Sequence, residues 1–257
     1  MKKRRGLIEF FIFWFFNMYE IIKKYLLYLK LLLVAMFFGG TFIAGRVLSQ
    51  NFPPFTSSFL RFSFAAVLLM LFLFLTYSGV PPIDGKSMIK IFFLALTGII
   101  GYNFFFFSGL KLIDASRASV IVSLNPASIS IFSFLLFREN LHPLKIAGIM
   151  LSFLGALIVI TRGEFNLLFS GSIGAGELYI LDCVACWTAF SLIGKSIIEK
   201  IPPLAAIAIA CLIGALILII PAWQEGCLIH IANFGIDVWI SVLVLALLGT
   251  GIAYVWY

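Results

Sequence analysis

Eight apolar stretches of about twenty residues, separated by short polar or Pro/Gly breaks, leave a 257-residue chain few ways to fold. A bilayer core roughly 30 Å thick is crossed by about 20 helical residues at 1.5 Å each, and backbone amides left unpaired in lipid are too costly to tolerate. The stretches therefore read as membrane-spanning helices near 29–48, 57–77, 88–108, 117–137, 144–161, 174–195, 203–221 and 237–257. An outer-membrane barrel would alternate apolar and polar residues in strands of about ten. Segments such as Ala65 to Leu75 are apolar on every side, which excludes it. Composition agrees: 63% of residues are hydrophobic and 11% charged, against about a quarter charged in soluble domains. The expected class is all-α, a polytopic transmembrane bundle.

Charge reports topology rather than partners. The net charge of +7 comes without basic residues interleaved with aromatics on a soluble domain, so nucleic acid is not an expected partner; the lipid bilayer is. Lys and Arg accumulate on the cytoplasmic side of short loops. With the N-terminus inside, thirteen of the eighteen basic residues fall on or beside that face, and only Arg46, Arg61, Lys111, Arg117 and Arg162 fall opposite. This predicts a multi-pass protein of the plasma (inner) membrane with a cytoplasmic N-terminus. Residues 1–28 begin with Met1-Lys-Lys-Arg-Arg5 and an apolar stretch from Leu7 to Tyr19, which imitates a secretory signal without a small-residue cleavage site. They read as an N-terminal extension lying on the membrane surface as an interfacial helix, with a misassigned upstream start codon as the alternative.

Self-comparison carries the most information. Gly45-Arg46 followed by Pro53-Pro54 recurs as Gly194-Lys195 followed by Pro202-Pro203, at an offset of 149. Leu96-Thr-Gly-Ile-Ile-Gly-Tyr102 resembles Leu248-Gly-Thr-Gly-Ile-Ala-Tyr254 at an offset of 152. Chance likeness between apolar helices is the competing explanation. A repeat of five spans, being odd in number, runs through the membrane in the opposite sense on its second passage, which gives inverted repeats of the kind secondary transporters use. The predicted organisation is a first five-helix repeat at 29–165 and a second at 174–257 with three helices. Matched against the first, the second stops two helices short of a ten-span chain of about 310 residues.

These residues resemble the EamA-type branch of the drug/metabolite transporter superfamily over about residues 29–257. The likeness rests on Gly40-Thr41-Phe42 in the first span, Arg61 in the second, Leu124-Asn125-Pro126 in the fourth and Phe137-Arg138-Glu139 at its end. Gly148 to Gly155 in the fifth span and Gly176-Glu177 with Trp187 in the sixth complete it. Arg138 stands where the family usually has a small residue. The resemblance implies ten helices in two five-helix repeats and transport of small metabolites.

Several polar residues inside the spans are candidates for a site, because polar groups in lipid need a partner. Asp182 lies deep in the sixth span; a proton or a substrate ammonium would suit it, as would a structural hydrogen bond. At 100° per residue it points away from Trp187, Thr188 and Glu177. Ser119, Ser123, Pro126, Ser130 and Ser133 form one stripe on the fourth span, fit either for close helix packing or for lining a cavity. Pro126 removes a helical hydrogen bond and is expected to bend that span near mid-membrane. Tyr102 and Asn103 sit beside Gly98 and Gly101 in the third. The substrate-binding set expected is Thr41, Tyr102, Asn103, Ser123, Asn125, Asp182, Trp187 and Tyr254. Arg61, Pro126 and Glu139 are expected to anchor helices or act in gating.

No metal or cofactor is expected. Cys183-Val-Ala-Cys186 lacks a second ligand pair, and His142 and His230 fall in loops on opposite sides of the membrane. No Gly-rich phosphate loop with Lys is present, so ATP-driven pumping is unsupported. The reading is a secondary transporter, an exporter of amino acids or similar small-molecule substrates by alternating access, with a proton as a candidate coupling ion. An inactive truncated fragment of such a transporter and a membrane-embedded lipid-modifying enzyme are the alternatives; the enzyme would need clustered nucleophiles near one interface, and none is found.

Overall fold

A computed structural model describes residues 2–77, 79–138, 140, 142–161, 163, 174–198, 200–226 and 234–252, with side chains from Lys24 onward. The described residues form eight helices: α1 Lys2–Asn51, α2 Pro54–Tyr77, α3 Gly85–Leu112, α4 Ala115–Phe137, α5 Pro143–Ile160, α6 Ala175–Lys195, α7 Pro203–Gln224 and α8 Ile236–Ile252. Seven of them are long and apolar enough to cross a membrane, α1 through its Lys24–Asn51 portion, and α8 is shorter over its described length. The expected spans thus all appear as helices. The extension is not set off from the first span, because nothing between Leu7 and Phe38 breaks a helix: the stretch has neither Pro nor Gly. α1 therefore runs on without interruption.

Small residues set how the helices meet. Apolar side chains gain little by leaving lipid for protein, so close backbone approach and van der Waals packing hold such bundles together. α7 turns Ala205, Ala208, Cys211 and Ala215 toward Ala65, Ala66 and Leu69 of α2, all buried, and the two helices pack along their lengths. α3 packs chiefly on α6, and α1 on α8. Gly98 of α3 meets Phe190 of α6, where an added Cβ would lie 2.7 Å from Cε2 and closer still to Cδ2. α5 contributes little to the interior; Ala156 is its one buried residue.

Two helices leave α geometry in mid-span. α3 is π-helical over Ala95–Gly101 and α8 over Val244–Ile252. α4 breaks at Ser123–Leu124 and resumes at Asn125, with Pro126 in its new first turn. Leu124 N–H bonds Ile121 O at 3.0 Å, a tightened turn that accommodates a proline lacking its own N–H. The α-helical pattern is thus interrupted two residues ahead of Pro126. The serine stripe is unevenly buried: Ser133 is buried while Ser123 and Pro126 are exposed.

Charges gather at the helix ends. At the end where α2 begins, Arg46 donates to Leu110 O and to Ile113 O, the latter at 2.5 Å, and faces Asp114 at 3.6 Å. Glu225 accepts from the backbone N–H and the hydroxyl of Thr56, at 2.7 and 2.9 Å, so a carboxylate from the end of α7 caps the positive end of α2. Arg117 pairs with buried Glu177 at 2.6 Å and donates to Ile160 O, which ties α4, α6 and the end of α5 together.

Candidate functional site

One charge among the described residues lies buried well inside a span. Arg61 is the eighth residue of α2, about 10 Å in from its start at 1.5 Å per residue, and is only 6% exposed. A buried guanidinium carries a desolvation cost of several kcal/mol unless its donors are satisfied. Its Nη1 donates to Asn103 Oδ1 at 3.0 Å and its Nε to Thr250 Oγ1 at 3.1 Å. Thr250 lies within the π-helical segment of α8, and Asn103 two residues past the π-helical segment of α3. Asn103 Nδ2 in turn donates to Gly98 O, five residues back, at 3.2 Å and to Ile99 O at 2.9 Å. Thr250 donates to Leu245 O, also five residues back, at 3.1 Å. Arg61 therefore joins the irregular segments of α3 and α8, whose loosened backbone each partner steadies.

Beside Arg61 opens a cavity of about 200 Å³. It is lined by Phe38, Thr41 and Phe42 of α1, Arg61 and Phe62 of α2, and Gly98, Tyr102 and Asn103 of α3. Val122 and Asn125 of α4, Trp187 of α6 and Gly249 of α8 complete it. An aromatic wall runs along one side: Tyr102 stacks on Phe106 at 5.7 Å and tilts against Trp187 at 5.3 Å, and Trp187 stacks on Phe190 at 5.0 Å. Asn125 Oδ1 is buried without a hydrogen-bond partner. Thr41 donates its hydroxyl to Phe38 O at 2.6 Å, which leaves its methyl group against Gly249.

Of the substrate-binding residues expected from sequence, Thr41, Tyr102, Asn103, Asn125 and Trp187 converge on this cavity. Arg61, expected at a helix end as anchor or gating element, stands in the same wall. Ser123 is exposed and donates to Val120 O at 2.5 Å, so it closes the broken turn of α4. Asp182 is exposed on the far face of α6 from Trp187, as the 100° rotation predicts, and does not join the lining. Pro126 is exposed beside the α4 break. Glu139 and Tyr254 lie outside the described residues. Sequence reasoning missed Phe38, Phe62 and Val122, which nothing marks among 29 Phe and many aliphatic residues, and gave Phe42 only as part of a family motif. It also missed Gly249 and Thr250, although both lie in the 248–254 segment whose sequence resembles 96–102.

A bundle of membrane-length helices around a small, polar-tipped cavity is the design of a multi-pass membrane transporter, and comparison with known proteins places the chain within that class. It belongs to the EamA-like transporter family, which matches residues 25–161 and 174–257. It is 28% identical to the uncharacterized transporter YyaM of Bacillus subtilis over 90% of this chain and 76% of that one. An uncharacterized transporter of Archaeoglobus fulgidus is 27% identical over 90% and 78%. The aromatic amino acid exporter YddG of Ancylobacter novellus is 30% identical, over 38% of this chain and 34% of that one. A crystal structure at 22% identity shares the fold, with a TM-score of 0.57 over 88% of this chain and 77% of its own.

Proposed function

We propose that this protein is a secondary transporter that exports small amphipathic metabolites, amino acids among them, by alternating access across the plasma (inner) membrane. The observation that carries the reading is the cavity itself, built from helices of both halves of the chain around a buried cation. Its size favours metabolites, since drug-sized ligands occupy roughly 300–1,000 Å³. Similarity to an aromatic amino acid exporter supports a substrate with a ring. The substrate-contacting set we infer is Thr41, Arg61, Tyr102, Asn103, Asn125 and Trp187.

The helix pairings support two inverted repeats, 29–165 and 174–257. Exchanging α1 with α6, α2 with α7 and α3 with α8 turns the α1–α8 pair into α6–α3, and maps α2–α7 onto itself. The repeated prolines, Pro54 and Pro203, open α2 and α7. The two π-helical segments fall on α3 and α8, the helices that this exchange relates. Such symmetry lets one half rock against the other around a fixed midplane site, with the α4 break at Pro126 as a bending point and a proton as coupling ion. The cytoplasmic N-terminus rests on the charge distribution.

Proteoliposomes loaded with labelled L-tryptophan or L-phenylalanine, with and without a pH gradient, test the reading. Efflux above protein-free vesicles that is lost in Trp187→Ala is expected. Absence of movement for every metabolite class tried, in either direction, would refute it.

A further inference from the structure

Two contacts flank the cavity and are related by the internal repeat. Thr41 of α1 packs on Gly249 of α8, where an added Cβ would meet Thr41 Cγ2 and stand 3.6 Å from Thr41 Cβ. Phe190 of α6 packs on Gly98 of α3 in the same manner. Thr41 and Phe190 lie 149 residues apart, the offset that relates Pro53-Pro54 to Pro202-Pro203. Their glycines fall in the two segments that resemble each other, 96–102 and 248–254, and both sit in π-helical backbone. Thr41, Gly98 and Gly249 line the cavity, and Phe190 stacks on Trp187, which lines it too. The same offset pairs Phe38 with Trp187, so α1 and α6 each bring a ring to the cavity one turn before the seam.

The two seams lie toward opposite ends of the bundle. Thr41 comes five residues before Arg46, which is bonded at the end where α2 begins. Phe190 comes five residues before Lys195, the last residue of α6. At 1.5 Å per residue each seam is about 7.5 Å along its helix from that basic residue. Lys90, in the first turns of α3, donates to Ser196 O at 3.1 Å, which sets the end of α6 beside the start of α3 and across the bundle from the start of α2. Both seams join helices of different halves, yet little crosses them. Thr41 keeps its hydroxyl on Phe38 O in its own helix and presents its methyl to Gly249; Phe190 presents a ring edge to Gly98. Such contacts hold by dispersion, which is weak per atom pair, and they part without stranding a polar group. The α2–α7 pair, by contrast, is packed along its length and maps onto itself when the halves are exchanged. A bundle that pivots there can open one seam while the other stays shut. The π-helical turns, a feature common at functional sites, are the points at which α3 and α8 can yield.

We propose that these seams are the two gates of the cavity: Thr41 on Gly249 closes it toward the end where α2 begins, Phe190 on Gly98 closes it toward the other end, and transport parts them one at a time. The inference rests on the reading of the cavity as a transport site between inverted repeats, and it names the side chains that alternate.

Disulfide locking tests it. In the double variant Thr41→Cys, Gly249→Cys the Cβ atoms would stand 3.6 Å apart, within the separation of about 3.5–4.5 Å that a disulfide needs. The full-length variant is oxidised with copper phenanthroline, the cross-link is confirmed by mass spectrometry, and the unaltered chain with its own four cysteines is treated alongside. Labelled L-phenylalanine or L-tryptophan reports flux from proteoliposomes. Calorimetry with the same ligand in lipid nanodiscs, where both faces are open to it, reports binding. Locking should cut flux at least about 10-fold while binding stays within about threefold, since a gate controls passage rather than affinity. Reduction should restore the flux that the variant had before oxidation. Equal flux with the bond intact would overturn the proposal, as would loss of binding together with flux, or failure of the folded variant to cross-link. Should that pair not fold, Phe190→Cys with Gly98→Cys locks the other seam and is judged in the same way. Failure of the gates alone leaves flux in the cross-linked protein; no flux of any metabolite by the unaltered chain would instead refute the transport reading, and the gates with it.

Discussion

Gly98→Ala tests whether the contact between α3 and α6 is as close as it looks. The new methyl would lie 2.7 Å from Cε2 of Phe190 and nearer to Cδ2, whereas carbon atoms pack best at about 3.5–4.0 Å. The ring must therefore retreat by roughly 1 Å to restore van der Waals contact. It has little room, being buried and stacked on Trp187 at 5.0 Å. Overpacking of this kind costs about 1–3 kcal/mol. Against it stands a gain of at most about 1 kcal/mol from replacing glycine within a helix, so a net loss of about 1–2 kcal/mol is expected. The same substitution in a Phe190→Ala background meets no ring, and its effect should become neutral or stabilising. The coupling between the two sites should then be about 1–3 kcal/mol. Reversible unfolding in mixed detergent micelles measures all four corners of the cycle. Equal destabilisation by Gly98→Ala in both backgrounds would refute the packing argument. Because Phe190 supports Trp187, the single variant should also weaken ligand binding.

Three further substitutions probe other parts of the bundle. Glu177→Ala removes one partner of a buried ion pair and should cost about 3 kcal/mol, the low end for such a loss, because the Arg117 side chain keeps 20% of its exposure; detergent unfolding reads it, and a loss below about 1 kcal/mol, the scale of a surface pair, would argue against a buried one. Arg138 caps α4 in the left-handed region at φ 55°, a conformation costing a non-glycine residue about 1 kcal/mol. Arg138→Gly should thus raise the melting temperature, and a fall would count against the assignment. Asn125→Leu replaces a buried, unpartnered acceptor by an apolar group of similar shape, which should stabilise the fold by about 1 kcal/mol while reducing transport in vesicles; a variant that is both less stable and fully active would refute the role given to this amide.

The helices were legible in the sequence because lipid enforces them, and the facing of α6 followed from simple rotation: Trp187 lines the cavity, Thr188 and Glu177 are buried, and Asp182 looks out. Facing failed on α4, which is interrupted at Ser123–Leu124 and along which the serine stripe is unevenly buried: Ser123 and Pro126 are exposed and Ser133 is buried. Periodicity assumes one uninterrupted helix, and a proline cancels that assumption. The π-helical segments were illegible for a related reason. An i−5 hydrogen-bond pattern leaves no mark on apolar spacing; here Asn103 and Thr250 also bond the carbonyls five residues back. Those two side chains are also the acceptors for Arg61, and this links the fold to the proposed function. A ligand anion drawing the guanidinium toward the cavity would pull on Asn103 and Thr250 together, and so on the two places where α3 and α8 are least regular. If the cavity is the transport site, Arg61 is thus placed to carry a substrate's arrival into both halves of the bundle. On that argument Arg61→Lys, which keeps the charge but loses the fork, should bind L-phenylalanine more nearly like the unaltered protein than it transports it. Equal losses of binding and transport would separate the two roles and leave Arg61 as a recognition residue alone.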